Sequence, residues 1–181
     1  MSFSSAYNHF RTITKHRHKV VSHCFRAGIP WRGLMHDLSK YTPTEFCEGA
    51  RYWQGTRSPN ERAREVIGFS EAWIHHKGRN RHHFEYWRDY NHQVHGDIPV
   101  KMPFVFVLEM FCDRVAASKI YQGKNYTDRH PLDYFLRAKA HRIIHQETSD
   151  LLESWLEMLA ERGERETFRY LRKLRRNHPE Y

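Results

Sequence analysis

Histidines and aspartates dominate the residues of this chain that could carry chemistry. Fifteen of the 181 residues are histidines, and several of them stand in clusters: His16/His18, His36, His75/His76 and His82/His83. Asp37 follows His36 directly, and Asp113 stands in an otherwise apolar stretch. A buried carboxylate is costly unless it is paired or coordinated, so Asp113 favours a ligand role, with a salt bridge to an arginine as the alternative.

Mixed imidazole and carboxylate ligands suit Mn, Fe, Co, Ni or Zn, and we therefore expect one or two divalent transition metal ions. Such an ion generates hydroxide near neutral pH and neutralises charge on a phosphoryl oxygen. Hydrolysis of a phosphate ester is the chemistry that these residue types favour.

Polar residues beside the clusters are candidates for substrate binding. Lys40 lies about one turn beyond Asp37 and could contact a phosphate as a compact cation. Arg79 and Asn80, between the two histidine pairs, could do the same. The alternative for Lys40 and Arg79 is a role at a helix end or in an ion pair.

The remaining histidines are expected to be ordinary core or surface residues. These are His9, His18, His23, His92, His95, His130, His141, His145 and His178.

Helical spacing of apolar residues runs through most of the chain, and strand alternation is nearly absent, so the prediction is an all-α fold. The predicted helices are one ending at Gly28–Pro30 and others over 31–40, 43–54, 59–77, 104–120, 132–147, 148–162 and 164–176. Thr42 to Glu45 and Ser58 to Glu61 have the pattern of a capping box. Because neighbouring helical residues project about 100° apart, His36 and Asp37 can share an ion only if other elements supply the remaining ligands.

The order His16, His36-Asp37, His76, His82, Asp113 resembles the ligand order H…HD…H…H…D of the HD-domain superfamily of metal-dependent phosphohydrolases. The segment from His36 to Lys40 is similar to its HD-x-G-K stretch, with Ser39 in place of glycine. HDLSK and HHKGRNRHH together resemble, more closely, a functionally uncharacterised family of bacterial and phage proteins.

The resemblance implies specific roles. His16, His36, Asp37 and Asp113 would hold one metal, His76 and His82 would serve a second, and Asp37 would bridge the two. His83 or His75 would orient substrate or replace a neighbouring ligand. We expect Asp37, Lys40 and His83 to act in catalysis, and the substrate to be bound by Lys40, His75, Arg79 and Asn80. The implied architecture is an HD-domain-like helical bundle over residues 1–147, with residues 148–181 forming a helical extension packed on the same domain.

Composition restricts the partners. Thirty Lys and Arg against 21 Asp and Glu give a net charge of +9, which favours an anionic partner such as a nucleotide, a phosphorylated metabolite or nucleic acid. No run of 18 apolar residues appears, so we expect no membrane span. Cys24, Cys47 and Cys112 are far apart and odd in number, which predicts buried thiols in a reducing compartment and a cytoplasmic location.

The sequence thus favours a phosphohydrolase acting on a small phosphorylated substrate, in particular a nucleotide. One alternative is a di-iron oxygenase, because HD-like oxygenases share this ligand order. Another is a module that binds nucleic acid or a partner protein through its basic surface, with a structural metal.

Overall fold

The computed structural model describes residues 2–177, and its architecture is helical. The α-helices are α1 (Phe3–Ala27), α2 (Pro30–Met35), α3 (Pro43–Tyr52), α4 (Pro59–Ile67), α5 (Glu71–Lys77), α6 (Phe104–Gln122), α7 (His130–Arg137) and α8 (Gln146–Asn177). Strands β1 (Arg88–Asn91) and β2 (Gly96–Pro99) form an antiparallel hairpin, with Arg88 opposite Pro99. The prediction of an all-α bundle is confirmed, whereas the hairpin was not predicted.

Helix α1 shows how the sequence positions its chemistry. The Ser2 hydroxyl accepts a hydrogen bond from the Ser5 amide at the start of the helix, and Gly28 ends it in the left-handed conformation (φ 84°). The buried residues recur at helical spacing: His9, Ile13, His16, Val20, His23, Cys24 and Ala27. The buried face of α1 is therefore part apolar core and part histidine.

Helix α6 lies in the core, and its first three turns are buried almost all round, as expected for a helix with apolar residues on every face. Phe111 packs edge-on against Trp155 and Phe168 of α8, with ring centroids 6.2 and 5.7 Å away. Glu109 and Asp113 are consequently carried on a helix that is fixed by packing.

Helix α8 is interrupted at Gly163 (φ 75°, ψ 168°), where the sequence predicts the boundary between its last two helices. The Asp128 carboxylate accepts a hydrogen bond from the Glu164 amide just after this break. Trp155 before the break and Phe168 after it both belong to the core that contains α6. His178 lies outside the described residues.

Two predicted helices are each broken in the structure. The helix predicted over 31–40 ends at Met35, because His36 is extended (φ −59°, ψ 130°) and Asp37 is left-handed (φ 54°). A 3₁₀-helix, Leu38–Tyr41, follows. The helix predicted over 59–77 is divided at Gly68 (φ 85°), and the Ser70 hydroxyl caps α5 by accepting a hydrogen bond from the Trp73 amide.

Other local predictions were wrong. The helix predicted over 132–147 ends at Arg137, and a 3₁₀-helix, Lys139–His141, precedes α8. Helices do begin at Pro43 and Pro59, but neither Thr42 nor Ser58 caps its helix through its side chain.

Cys24 and Cys112 are buried as expected, whereas Cys47 is exposed on the outer face of α3. None of the described helices is both long enough and apolar enough to cross a membrane.

Candidate metal centre

The six predicted metal ligands converge on one site, although they come from five separate parts of the chain. His16 lies on α1 and Asp113 on α6, while His36 and Asp37 follow α2. His76 lies near the end of α5, and His82 lies in the turn after it. All six are buried except Asp113, whose side chain is 16% exposed.

The first group of potential ligands consists of His16, His36, Asp37 and Asp113. One ligand atom from each lies within 4.8 Å of the others. Nε2 of His16 is 2.9 Å from Oδ1 of Asp113, and Nε2 of His36 is 3.2 Å from Oδ2 of Asp37. These are the four residues that the sequence assigns to one metal.

The second group consists of Asp37, His76, His82 and His83, with the same 4.8 Å limit. Nε2 of His76 and Nε2 of His82 lie 3.3 and 3.5 Å from Oδ1 of Asp37. Asp37 therefore presents Oδ2 to the first group and Oδ1 to the second, which is the arrangement that a bridging carboxylate requires. His83 joins this group through its Nε2, 2.9 Å from Nε2 of His76.

Several atoms of these groups are buried and lack a hydrogen bond of suitable geometry: Nε2 of His16, His36 and His82, and both carboxylate oxygens of Asp37. Leaving one buried polar group unpaired costs about 1–3 kcal/mol. Lys40 and Asp113 lie within ion-pair distance of two of these atoms, but so many imidazole and carboxylate lone pairs without a hydrogen bond in one place fit coordination to a cation. The donor types suit a divalent transition metal.

A buried glutamate links the two groups. Oε1 of Glu109 accepts a hydrogen bond from Nδ1 of His36 at 3.0 Å and lies 3.4 Å from Nδ1 of His82. Its Oε2 accepts from Arg32 at 2.7 Å. Metal-binding histidines usually donate their second ring N–H to a carboxylate or a carbonyl, which fixes the tautomer and leaves Nε2 free for the metal.

Glu45 has the same role beside the second group. Its Oε2 is 2.7 Å from Nδ1 of His76, and its Oε1 is 2.7 Å from Nδ1 of His75. From the sequence, Glu45 was predicted to belong to a capping box, and no role was predicted for Glu109. The signal for Glu109 was its place one turn before Asp113 on an apolar helix. No local signal marks Glu45, because its partners are 30 and 31 residues away.

The carboxylates of the site are ionised. Burial alone would raise the pKa of Asp37, but His36, Lys40 and His76 hold it well below its usual value. For Glu109, burial is likewise outweighed, and hydrogen bonds from His36 and His82 lower its pKa to about 2. Burial would lower the pKa of His36, yet the surrounding carboxylates raise it well above its usual value. The site thus concentrates negative charge, which favours the binding of cations.

Lys40 neutralises part of this negative charge. Its Nζ lies 2.6 Å from Oδ2 of Asp37, on the side of the first group. Burial opposes the charge of Lys40, but Asp37 and Asp113 raise its pKa above the usual value. The residue is therefore a permanent cation in contact with the carboxylate that the two groups share.

The other residues predicted to bind substrate lie around the second group. Asn80 donates hydrogen bonds to the His76 carbonyl at 2.8 Å and to the Ser39 hydroxyl at 2.9 Å, which ties the end of α5 to the 3₁₀-helix. Arg79 is exposed and reaches the His75 carbonyl at 3.4 Å. His75 is half-buried against Glu45. Their contact with substrate stays a prediction.

Fold and site define a helical protein with buried histidine and aspartate groups that could hold metal ions. Residues 5–158 match a family described as a family of unknown function, DUF5662, and the chain belongs to that family. No curated protein and no solved structure matches the chain.

Proposed function

We propose that this protein is a metal-dependent phosphohydrolase with an HD-domain-like site, and that it cleaves the phosphate ester of a nucleotide or a related metabolite. The observation that supports the proposal most directly is the position of the Asp37 carboxylate. One of its oxygens faces each of two groups of buried ligands. Sites with two metal ions bind the attacking and the leaving oxygens of phosphoryl transfer. The net charge of +9 is consistent with an anionic substrate.

The metal ions would supply hydroxide near neutral pH and neutralise charge on the phosphoryl group. Asp37 would bridge the two ligand groups, while Glu109 and Glu45 would orient the imidazoles. Lys40, held on the side of the first group, would contact a phosphoryl oxygen as a point charge.

His83 would serve as a proton carrier. Burial, with the charges of His82 and His76, holds its pKa well below the usual value, so its ring is neutral. A neutral imidazole with a lowered pKa is a weak base, so His83 would take up a proton only briefly and pass it on.

The test begins with metal analysis of protein purified without chelator. Metal-free protein is then loaded with Mn or Co and given a panel of phosphomonoesters and phosphodiesters, with phosphate release as the readout. Lys40→Ala should retain its metal while kcat/KM falls by about 1.5–3 kcal/mol of transition-state stabilisation, the range for a charge-assisted hydrogen bond. Lys19→Ala, at an exposed position on α1, is the matched control.

The outcomes separate the candidate functions. Phosphate release that depends on the metal supports the hydrolase. Oxygen uptake by iron-loaded protein without phosphate release would indicate the oxygenase instead. Salt-sensitive binding of nucleic acid without any turnover would indicate a binding module. Full activity of Lys40→Ala would leave Lys40 as an ion-pair partner of Asp37 alone.

A further inference from the structure

A small cavity adjoins the candidate metal centre between α1, α3, α4 and the end of α6. Its polar lining includes His9, Lys40, Glu45, Asn60, His76 and Tyr121. Lys40 contacts Asp37, and His76 belongs to the second ligand group. A substrate whose phosphate lies at the metal centre can therefore extend its organic part into this cavity.

The ring of His9 packs beside Phe46 of α3, with ring centroids 5.4 Å apart, but this packing does not account for its polar atoms. The residue is 6% exposed, and its Nδ1 is buried with no hydrogen-bond partner among the described residues. Helix α3 makes room for the ring at Gly49, where a Cβ atom would lie 2.4 Å from Nε2 of His9. An unpaired polar atom in a ring that fits so closely indicates a ligand that is present during function.

The chemistry of the lining selects the kind of group that fits. Burial, and then the charge of Lys40, lower the pKa of His9 to about 4, so the ring is neutral at neutral pH. A neutral imidazole offers one N–H donor and one acceptor, and a hydroxyl group offers the same pair in return. Ile13, Pro59 and Ala72 add apolar wall, which suits the carbon atoms that carry such a hydroxyl.

Size favours a small organic group. The cavity has a volume of about 70 Å³, whereas an engineered protein cavity that binds benzene measures about 150 Å³. The volume therefore favours a short carbon chain with hydroxyl groups over a nucleobase.

We infer that the substrate is a phosphate ester of a small hydroxylated alcohol, whose hydroxyl group hydrogen-bonds to His9 in this cavity while its phosphate lies at Lys40 and the metal centre. The inference rests on the proposed function and narrows it, because a nucleotide is no longer the favoured substrate. His9, which the sequence analysis treated as an ordinary histidine, becomes a specificity residue.

The experiment uses the full chain loaded with Mn or Co, with glycerol phosphate and adenosine monophosphate as probes. We expect glycerol phosphate to be the better substrate in kcat/KM. His9→Phe should raise the KM for glycerol phosphate by about tenfold, the value of one neutral hydrogen bond, and leave kcat and metal content unchanged. Gly49→Ala should act in the same direction, because its Cβ displaces the His9 ring. His18→Phe, at an exposed position of the same helix, is the control.

One further variant and one further substrate serve as controls. If His9→Phe does not fold, His9→Gln retains a donor and an acceptor and should keep most of the affinity. Propyl phosphate, which has the carbon chain of glycerol phosphate without its hydroxyl groups, should be hydrolysed equally by the wild-type protein and the His9→Phe variant.

The failure of this inference is distinct from the failure of the proposed function. Hydrolysis that prefers adenosine monophosphate, or an unchanged KM for glycerol phosphate in the folded His9 variants, overturns the inference while the hydrolase stands. If no ester is cleaved, calorimetry measures the binding of glycerol phosphate directly. Binding that His9→Phe weakens and His18→Phe retains supports the cavity as its site, whereas no binding, or equal binding by both variants, overturns it.

Discussion

The two ligand groups share Asp37 but differ in charge and in support. The first group contains two carboxylates, and His16 and Asp113 are carried on α1 and α6, which pack against each other in the core. The second has Asp37 as its one carboxylate and three histidines near the end of the short helix α5 and in the turn that follows. More negative charge and a more rigid frame favour a hard divalent cation in the first group, and we expect this group to fill first and to hold its ion more tightly.

The supporting glutamates follow the same division. Glu109 is 1% exposed, is paired with Arg32, and contacts one histidine from each group. Glu45 contacts His76 of the second group and His75 beside it. A change at Glu109 should therefore reach both ions, whereas a change at Glu45 should reach one.

The largest effect on metal binding is expected at Asp37, because both ligand groups need its carboxylate. Asp37→Asn keeps a residue that tolerates the left-handed backbone and removes the bridging charge. We expect both ions to be lost, together with the stabilisation that metal provides, about 2.7 kcal/mol at a free metal concentration of roughly 100 times Kd. Elemental analysis and melting curves with and without chelator measure this. Full metal occupancy in the variant would refute the bridging assignment.

Variants that lose one ion at a time test whether the two ligand groups bind separate ions. Asp113→Asn should abolish the tighter of two binding events in a calorimetric titration with Mn or Co. His76→Ala should abolish or weaken the looser one and leave the tighter unchanged, because His76 lies in the second group alone. If both variants lose the same event, the two groups form a single site.

Smaller effects are expected from the supporting glutamates. Partners that orient metal ligands typically change metal affinity by about 10–100-fold when mutated. Glu109→Gln should weaken both binding events by this amount, and Glu45→Gln should weaken the looser event only. Glu157→Gln, at an exposed position on α8, controls for the lost charge. Equal effects of Glu109→Gln and Glu45→Gln on both binding events would contradict the assignment of Glu109 to both groups and of Glu45 to the second group alone.

The smallest effect on the site is expected at His23, which donates from Nδ1 to the Cys112 carbonyl beside Asp113. Burial lowers the pKa of His23 from 6.5 to about 4. Between these pH values the unfolded chain binds the proton and the folded chain does not, so stability falls as the pH decreases through this range. The loss approaches about 3 kcal/mol.

The measurement is chemical denaturation of metal-free protein at several pH values. His23→Asn should show a shallower fall of stability with decreasing pH than the wild type, and its metal content at neutral pH should be unchanged. His18→Asn should follow the wild type, because His18 is exposed. A His23 variant with the wild-type pH dependence would show that this imidazole does not resist protonation.

The sequence predicted which residues meet at the site but not how the backbone presents them. His16, His36, Asp37 and Asp113 could be chosen by residue type, order and resemblance, because ligand chemistry limits the candidates. The left-handed turn at Asp37 could not be predicted, since the apolar spacing over 31–40 fits a continuous helix. Glu45 was missed because its contacts with His75 and His76 are purely tertiary.

The hairpin was missed for another reason. Strand β1 is exposed along most of its length, so it lacks the alternation of buried and exposed residues that marks a strand in a sequence. Gly68 and Gly163 each interrupt a helical segment, but only Gly163 was predicted as a helix boundary. At Gly68 the apolar spacing continues beyond the glycine, so a single helix was predicted through it.

The left-handed backbone of Asp37 has a consequence for how this fold can change. A left-handed conformation costs most residues roughly 1–2 kcal/mol, and glycine, asparagine and aspartate bear that cost most easily. Replacement of Asp37 by glycine or asparagine therefore keeps the backbone of this turn at little cost, while it removes the carboxylate that pairs with Lys40 and faces both ligand groups. The shape of the turn and its capacity to hold metal are separable at this position, so the stability that such a variant loses is that of the ion pair and the bound metal.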